Sequence, residues 1–158
     1  MNDALETFTR KFTDETIPDV TRIGRCYYQL EPGLRKVVEG IGKKTGMQPF
    51  SAGLFLGEEV SKRFKPSIAL LDIIGAKTDL WVIIDDKAEW LFLCGRDVFA
   101  ASVVKSNVKH GIAIVMNSKR EVLGFGLVDD RVRRAEDIMV KNIIDRGDYL
   151  RREMGKRH

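Results

Sequence analysis

From Leu80 onward the apolar residues fall in short runs: Leu80–Ile84, Trp90–Leu93, Ile112–Met116, Val122–Val128 and Ile138–Ile144, bounded by Gly, Asp, Asn and Lys. Runs of that length suit the strands of a small β-barrel-like domain better than helices. Asp97–Ser102 interrupts the series as an expected helical turn. This pattern limits the second half of the chain more than any single motif does.

The first half has a different period. Leu5, Phe8 and Phe12 are helically spaced behind Asn2 or Asp3 as a cap, and Pro18 stops anything continuous. Arg25–Leu30 reads as a strand. Pro32 then opens a helix whose apolar stripe is Leu34, Val37, Val38 and Ile41, with Gly40 and Gly42 marking its end. Lys43 and Lys44 follow where a helix C-terminus favours positive charge. Phe50–Leu56 reads as a second strand. Phe64–Ile74 stays open between a strand over Ile68–Leu71 and a helical turn over Leu70–Ile74. The character changes near Lys77, which predicts two domains, 1–77 and 78–158. No Pro/Ser-rich linker separates them, so direct packing is expected. The fold class is α+β: an N-terminal α/β domain with an antiparallel sheet, packed on a C-terminal mixed β domain.

A hydrophobic content of 44% allows a core in a chain of 158 residues. No apolar run approaches the ~20 residues that span a bilayer, and the N-terminus has no basic stretch followed by an apolar one. Cys26 and Cys94 are too few for a disulfide framework and lack zinc-ligand spacing. A cytoplasmic setting is expected.

Catalytic equipment is sparse. His158 is the last residue, and His110 is expected in a polar turn over Asn107–Gly111. Neither pairs plausibly with a nucleophile. Asp14/Glu15, Glu58/Glu59, Asp85/Asp86 and Asp129/Asp130 are adjacent pairs, which point apart on a strand and make poor acid/base dyads. Gly124-Phe125-Gly126 lacks the third glycine and following helix of a phosphate loop, so close backbone approach is the expected reason for its glycines. No catalytic residue, metal or cofactor is expected.

The net charge is +4, and most of it lies at the C-terminus. Within 146–158, Arg146, Arg151, Arg152, Lys156 and Arg157 face only Asp148 and Glu153. Clustered cations suit the phosphates of a nucleic acid. A second, smaller cluster is Lys62, Arg63 and Lys65.

Three segments in order resemble the PUA domain, the RNA-binding module named for pseudouridine synthases and archaeosine transglycosylases. They are Phe92–Ala100, similar to a strand–glycine–short-helix opening; Gly111–Met116 with Glu121–Leu127, similar to the central strands; and Ile144–Glu153, similar to the closing segment. Leu123-Gly124-Phe125-Gly126 followed by Gly147-Asp148-Tyr149-Leu150-Arg151-Arg152-Glu153 makes the chain resemble the Nip-seven family of large-subunit ribosome biogenesis factors, in an archaeal-type form. The resemblance covers residues 25–153. It implies an N-terminal α/β domain packed on a PUA barrel, and binding to single-stranded, uridine-rich or ribosomal RNA. It also implies work in pre-ribosome maturation beside other biogenesis proteins, and no intrinsic reaction.

Arg151 and Arg152 are the expected phosphate contacts, supported by Arg146, Lys156 and Arg157. A helical turn over Gly147–Glu153 would anchor them. The resemblance places Arg96 beside the same groove. Removing Arg151 and Arg152 together is expected to weaken RNA binding and leave the fold intact. In the opposing reading, Arg151 pairs with Glu153 or Asp148 and serves solubility. Two other functions fit the sequence: a protein-interaction scaffold that does not touch RNA, and an accessory subunit of an RNA-modifying enzyme.

Overall fold

The helical spacing at the N-terminus forms α1, Ala4–Thr9, in the computed structural model, which describes residues 3–155. Leu5, Phe8 and Phe12 are buried. Phe8 meets Phe12 and Phe64 at centroid separations of 5.4 and 5.3 Å, and Phe64 takes Tyr27 edge-on at 5.6 Å. These rings tie α1 to an antiparallel sheet ordered β1-β2-β3-β4: Val20–Ile23, Cys26–Gln29, Leu54–Val60 and Arg63–Pro66. The first strand went unread in the sequence because its four residues carry no alternating apolar pattern.

Helix α2 runs Pro32–Thr45, past both Gly40 and Gly42. It ends at Gly46, whose left-handed φ of 69° lets its N–H reach the Gly42 carbonyl. The 3.6-residue period identified the helix correctly but not its surroundings. Leu34, Val37 and Ile41 are 41, 57 and 45% exposed, and no described residue of α2 is buried. The strand expected from Phe50 starts only at Leu54, and Phe50 is fully exposed. The ambiguous segment resolves as a helix: Ile68–Leu71 is not a strand but the first half of α3, Ile68–Gly75, and β4 ends before it at Pro66. The Ser67 hydroxyl donates to the Phe55 carbonyl (2.7 Å) and accepts from the Leu70 N–H (3.1 Å), which starts the helix.

The chain divides into two compact units, Met1–Ile74 and Gly75–His158. The second is built on strands β5 (Trp81–Ile84), β6 (Val98–Phe99), β7 (Val103–Ser106), β8 (His110–Met116), β9 (Val122–Asp129) and β10 (Ile138–Asp145). They order as β6-β10-β9-β8-β5-β7, and only β5 and β8 pair in parallel. The sheet ends on edges β6 and β7 and does not close as a full barrel. Val82, Ile84, Val115, Val128 and Val140 form its core with Phe92.

Three sequence expectations need correction here. Trp90–Leu93 is not a strand but the end of helix α4, Asp86–Leu93. Asp85 caps it by accepting from the Ala88 N–H at 2.8 Å, and Ala88 and Phe92, four apart, are its buried face. The expected helical turn over Asp97–Ser102 is β6 followed by a 3-10 turn, Ala100–Ser102. His110 lies not in a turn but at the start of β8, exposed beside Asp129. The Gly124 and Gly126 reading agrees with the structure. A Cβ on Gly124 would overlap the Ile144 carbonyl, and one on Gly126 would lie 2.5 Å from the Lys141 carbonyl. Both oppose the stretch where β10 bulges between Asn142 and Ile144. Among the described residues no helix is long and apolar enough to cross a membrane.

Candidate nucleic-acid interface

Helix α4 sets the geometry at one end of the second sheet. It stops because Gly95 adopts φ 86°. The Gly95 N–H then bonds the Phe92 carbonyl (2.9 Å) and the Arg96 N–H bonds the Leu91 carbonyl (3.0 Å), a paired closure that a left-handed residue allows. The Leu93 carbonyl is left without an intrahelical donor at the negative end of the helix.

Helix α5, Asp148–Gly155, answers it. Arg151 donates through Nη1 to the Leu93 carbonyl (2.5 Å) and to Asp145 Oδ1 (3.0 Å), and through Nη2 to Asp145 Oδ2 (2.8 Å). Asp145 is 3% exposed. Its hydrogen bonds and charge push the Arg151 guanidinium above its ordinary pKa. Asn142 completes the junction. Its Nδ2 donates to Asp145 (3.1 Å) and the Phe92 carbonyl (2.9 Å), and its N–H to Asp97 (2.8 Å). Two glycines make room. A Cβ on Gly147 would overlap the Leu93 carbonyl, and one on Gly95 would lie 3.2 Å from Arg151 Nη2.

The six expected RNA residues therefore separate. Arg151 faces inward and joins α4, β10 and α5. Its partner is Asp145, with Asp148 only at 4.0 Å. Removing Arg151 would leave Asp145 buried without its cation, a cost to the fold that the charge count alone does not show. Arg152 is 55% exposed and pairs with Asp148 at 2.8 Å. Arg96 is exposed after Gly95, with no carboxylate partner among the described residues. Its carbonyl faces Asn142 Nδ2 at 3.4 Å, so it borders the same junction. Arg146 is exposed, with Nε donating to the Val122 carbonyl at 2.5 Å. Lys156 and Arg157 lie outside the described residues.

Asn142 and Asp145 were missed in the sequence. The available signal was Asn142 and Asp145 as polar residues in a largely apolar strand that ends two residues before Gly147. Among the described residues no group of three or more His, Cys, Asp or Glu could hold a metal ion.

Comparison with known proteins places the fold and the family. The profile of the UPF0113 PUA domain matches residues 80–154, which contain α4, β5–β10 and most of α5. A solved structure of a conserved PUA domain protein from Thermoplasma acidophilum shares the fold, with a TM-score of 0.58 over 93% of this chain and 89% of that one, at 16% identity. The fold is thus PUA-like, mixed α+β with two sheets, one of them a curled half-barrel. A UPF0113 protein of Archaeoglobus fulgidus is 33% identical over 138 residues, 78% of each chain. Together, the matched domain and this relative show that the chain belongs to the UPF0113 family.

Proposed function

We propose that this protein binds single-stranded RNA through the α4–α5 end of its PUA domain and acts in large-subunit ribosome biogenesis. One observation carries the reading: Arg96 and Arg152 stand exposed beside the junction in which Arg151 is held by the buried Asp145. Exposed guanidiniums on a fixed support can take phosphates bidentately and stack on bases, with little ordering cost on binding. The ribosomal role follows from the resemblance to the Nip-seven family. In this reading the protein is cytoplasmic, needs no metal or cofactor, carries out no reaction, and works beside other biogenesis proteins on ribosomal or uridine-rich RNA.

A scaffold without RNA contact is the second reading. The exposed stripe of Leu34, Val37 and Ile41 on α2 favours it, because such a stripe suits a protein partner.

Titration of labelled oligouridylate across a salt series separates the two. The wild-type protein should bind with an affinity that falls as salt rises. The double variant Arg96→Ala, Arg152→Ala should lose about tenfold in affinity and about 1.4 units of slope, ~0.7 per lost single-strand contact. Its stability should fall by less than ~1 kcal/mol, the cost of the solvated Arg152–Asp148 pair. No binding by the wild type would sink the RNA reading and leave the scaffold.

A further inference from the structure

The opposite edge of the second sheet holds a group of side chains that the α4–α5 site does not use. Trp81, on β5, is half-buried. Two exposed cations lie over its ring: Lys105 Nζ at 5.6 Å from the centroid and the Arg120 guanidinium at 5.1 Å. Lys105 comes from the edge strand β7, and Arg120 from the turn between β8 and β9. Among the described residues neither cation has a carboxylate partner.

That turn is built rigidly, and its acids are engaged. Asn117 is 4% exposed and accepts through Oδ1 from the N–H groups of Lys119 (3.0 Å) and Glu121 (2.9 Å). Its Nδ2 donates to the Glu121 carboxylate (2.6 Å) and to Glu89 (3.2 Å). Arg120 sits in the left-handed region at φ 64°. Glycine or asparagine fits such a position at least cost, so the backbone gives no reason for an arginine. The reason has to lie in the side chain. Exposed cations held on an aromatic face are the local chemistry of a single-strand nucleic-acid groove.

We propose that Lys105, Trp81 and Arg120 form a second RNA-backbone contact, reached by the same strand that binds at α5. The proposal rests on the RNA reading above and extends it. Arg146 bridges the two places: its Nε bonds the Val122 carbonyl, two residues after Arg120, and its backbone follows Asp145. From β10 to β7 is four strand spacings, roughly 19 Å. The bound strand therefore spans several nucleotides and crosses the β8–β9 turn.

The protein has two tryptophans, and Trp90 is 71% exposed, so Trp90→Phe leaves Trp81 as the sole indole fluorophore without opening the core. In that background, labelled oligouridylate of about twelve nucleotides, within the usual single-strand site range, is titrated and read two ways: by anisotropy and by Trp81 emission. The expected result is a saturable change in Trp81 emission with the same midpoint as the anisotropy. Adding Lys105→Gln and Arg120→Gln should weaken binding about tenfold and lower the salt slope by about 1.4. Binding that leaves Trp81 emission, affinity and slope untouched overturns the second contact while the α5 site stands. Absence of any anisotropy change overturns the RNA reading itself, and the second contact with it.

Discussion

On the inner side of α5, Arg151 faces an Asp145 side chain that is 2% exposed; on its outer side, one residue later, Arg152 faces an Asp148 side chain that is 30% exposed. Both pairs close to 2.8 Å. The distances are equal, and the surroundings set what each pair does. A carboxylate withdrawn from water depends on its cation, because the alternative is an uncompensated buried charge. A solvated one loses little when its partner leaves. Two adjacent arginines thus perform different work. A count of basic residues overstates the charge available to a polyanion by those that the fold has already neutralised.

The sharpest way to break this comparison is Arg151→Ala. Among the described residues, the Asn142 amide would be the side-chain donor left to Asp145. Loss of one member of a buried pair costs 3–5 kcal/mol in general, but Arg151 is itself 39% exposed and water can follow, so we expect about 2–4 kcal/mol. Urea unfolding reads it. Adding Asp145→Asn should recover much of the loss, because the stranded charge is removed. If Arg151→Ala unfolded at the parent's urea midpoint, the inner and outer pairs would be equivalent and the distinction would fail.

Gly147→Ala tests the same junction from the backbone side. The added methyl would overlap the Leu93 carbonyl and lie 2.8 Å from Arg151 Nη1. Either α5 shifts or the Arg151 fork loses its geometry. A cost of about 1–3 kcal/mol is the general range for forcing an atom into a filled site. An Ala variant as stable as the parent would mean that the junction is loose enough to accept it, and that Arg151 is not held as described.

The sequence revealed the outer side of this region better than the inner one. Charge clustering found Arg146, Arg151 and Arg152, because net charge can be counted without knowing where a side chain points. The helical turn after Gly147 was also legible, and α5 covers it. What stayed hidden was the partner of Arg151. Asp145 lies six residues away, and the pairing exists only because β10 bulges and α4 ends at Gly95. Both are properties of the assembled sheet. α4 itself was read as a strand because Trp90–Leu93 is a short apolar run, and the Asp85 cap that begins the helix lies five residues before it. On α2 the opposite happened: the period was plain, but a helical period carries no information about what covers the stripe. Trp81, Lys105 and Arg120 are 15 to 39 residues apart in the chain and meet only through the β5–β7 pairing and the β8–β9 turn.

The smallest expected effect separates availability from mere exposure. Asp148→Asn removes the carboxylate that holds Arg152 and leaves the helix its side-chain length. The lost i, i+4 pair is worth about 0.3–0.5 kcal/mol, and the lost negative charge in the first turn of α5 a similar amount. Stability should fall by less than ~1 kcal/mol. RNA affinity should rise about twofold, because a released Arg152 no longer exchanges one anion for another before it meets a phosphate, and ~0.5 kcal/mol corresponds to that ratio. The gain should shrink as salt is raised, since screening weakens the solvated pair in the parent as well. Weaker binding by the Asp148→Asn variant would mean that Asp148 orients Arg152 toward the RNA, and the outer pair would then be part of the site's preorganisation.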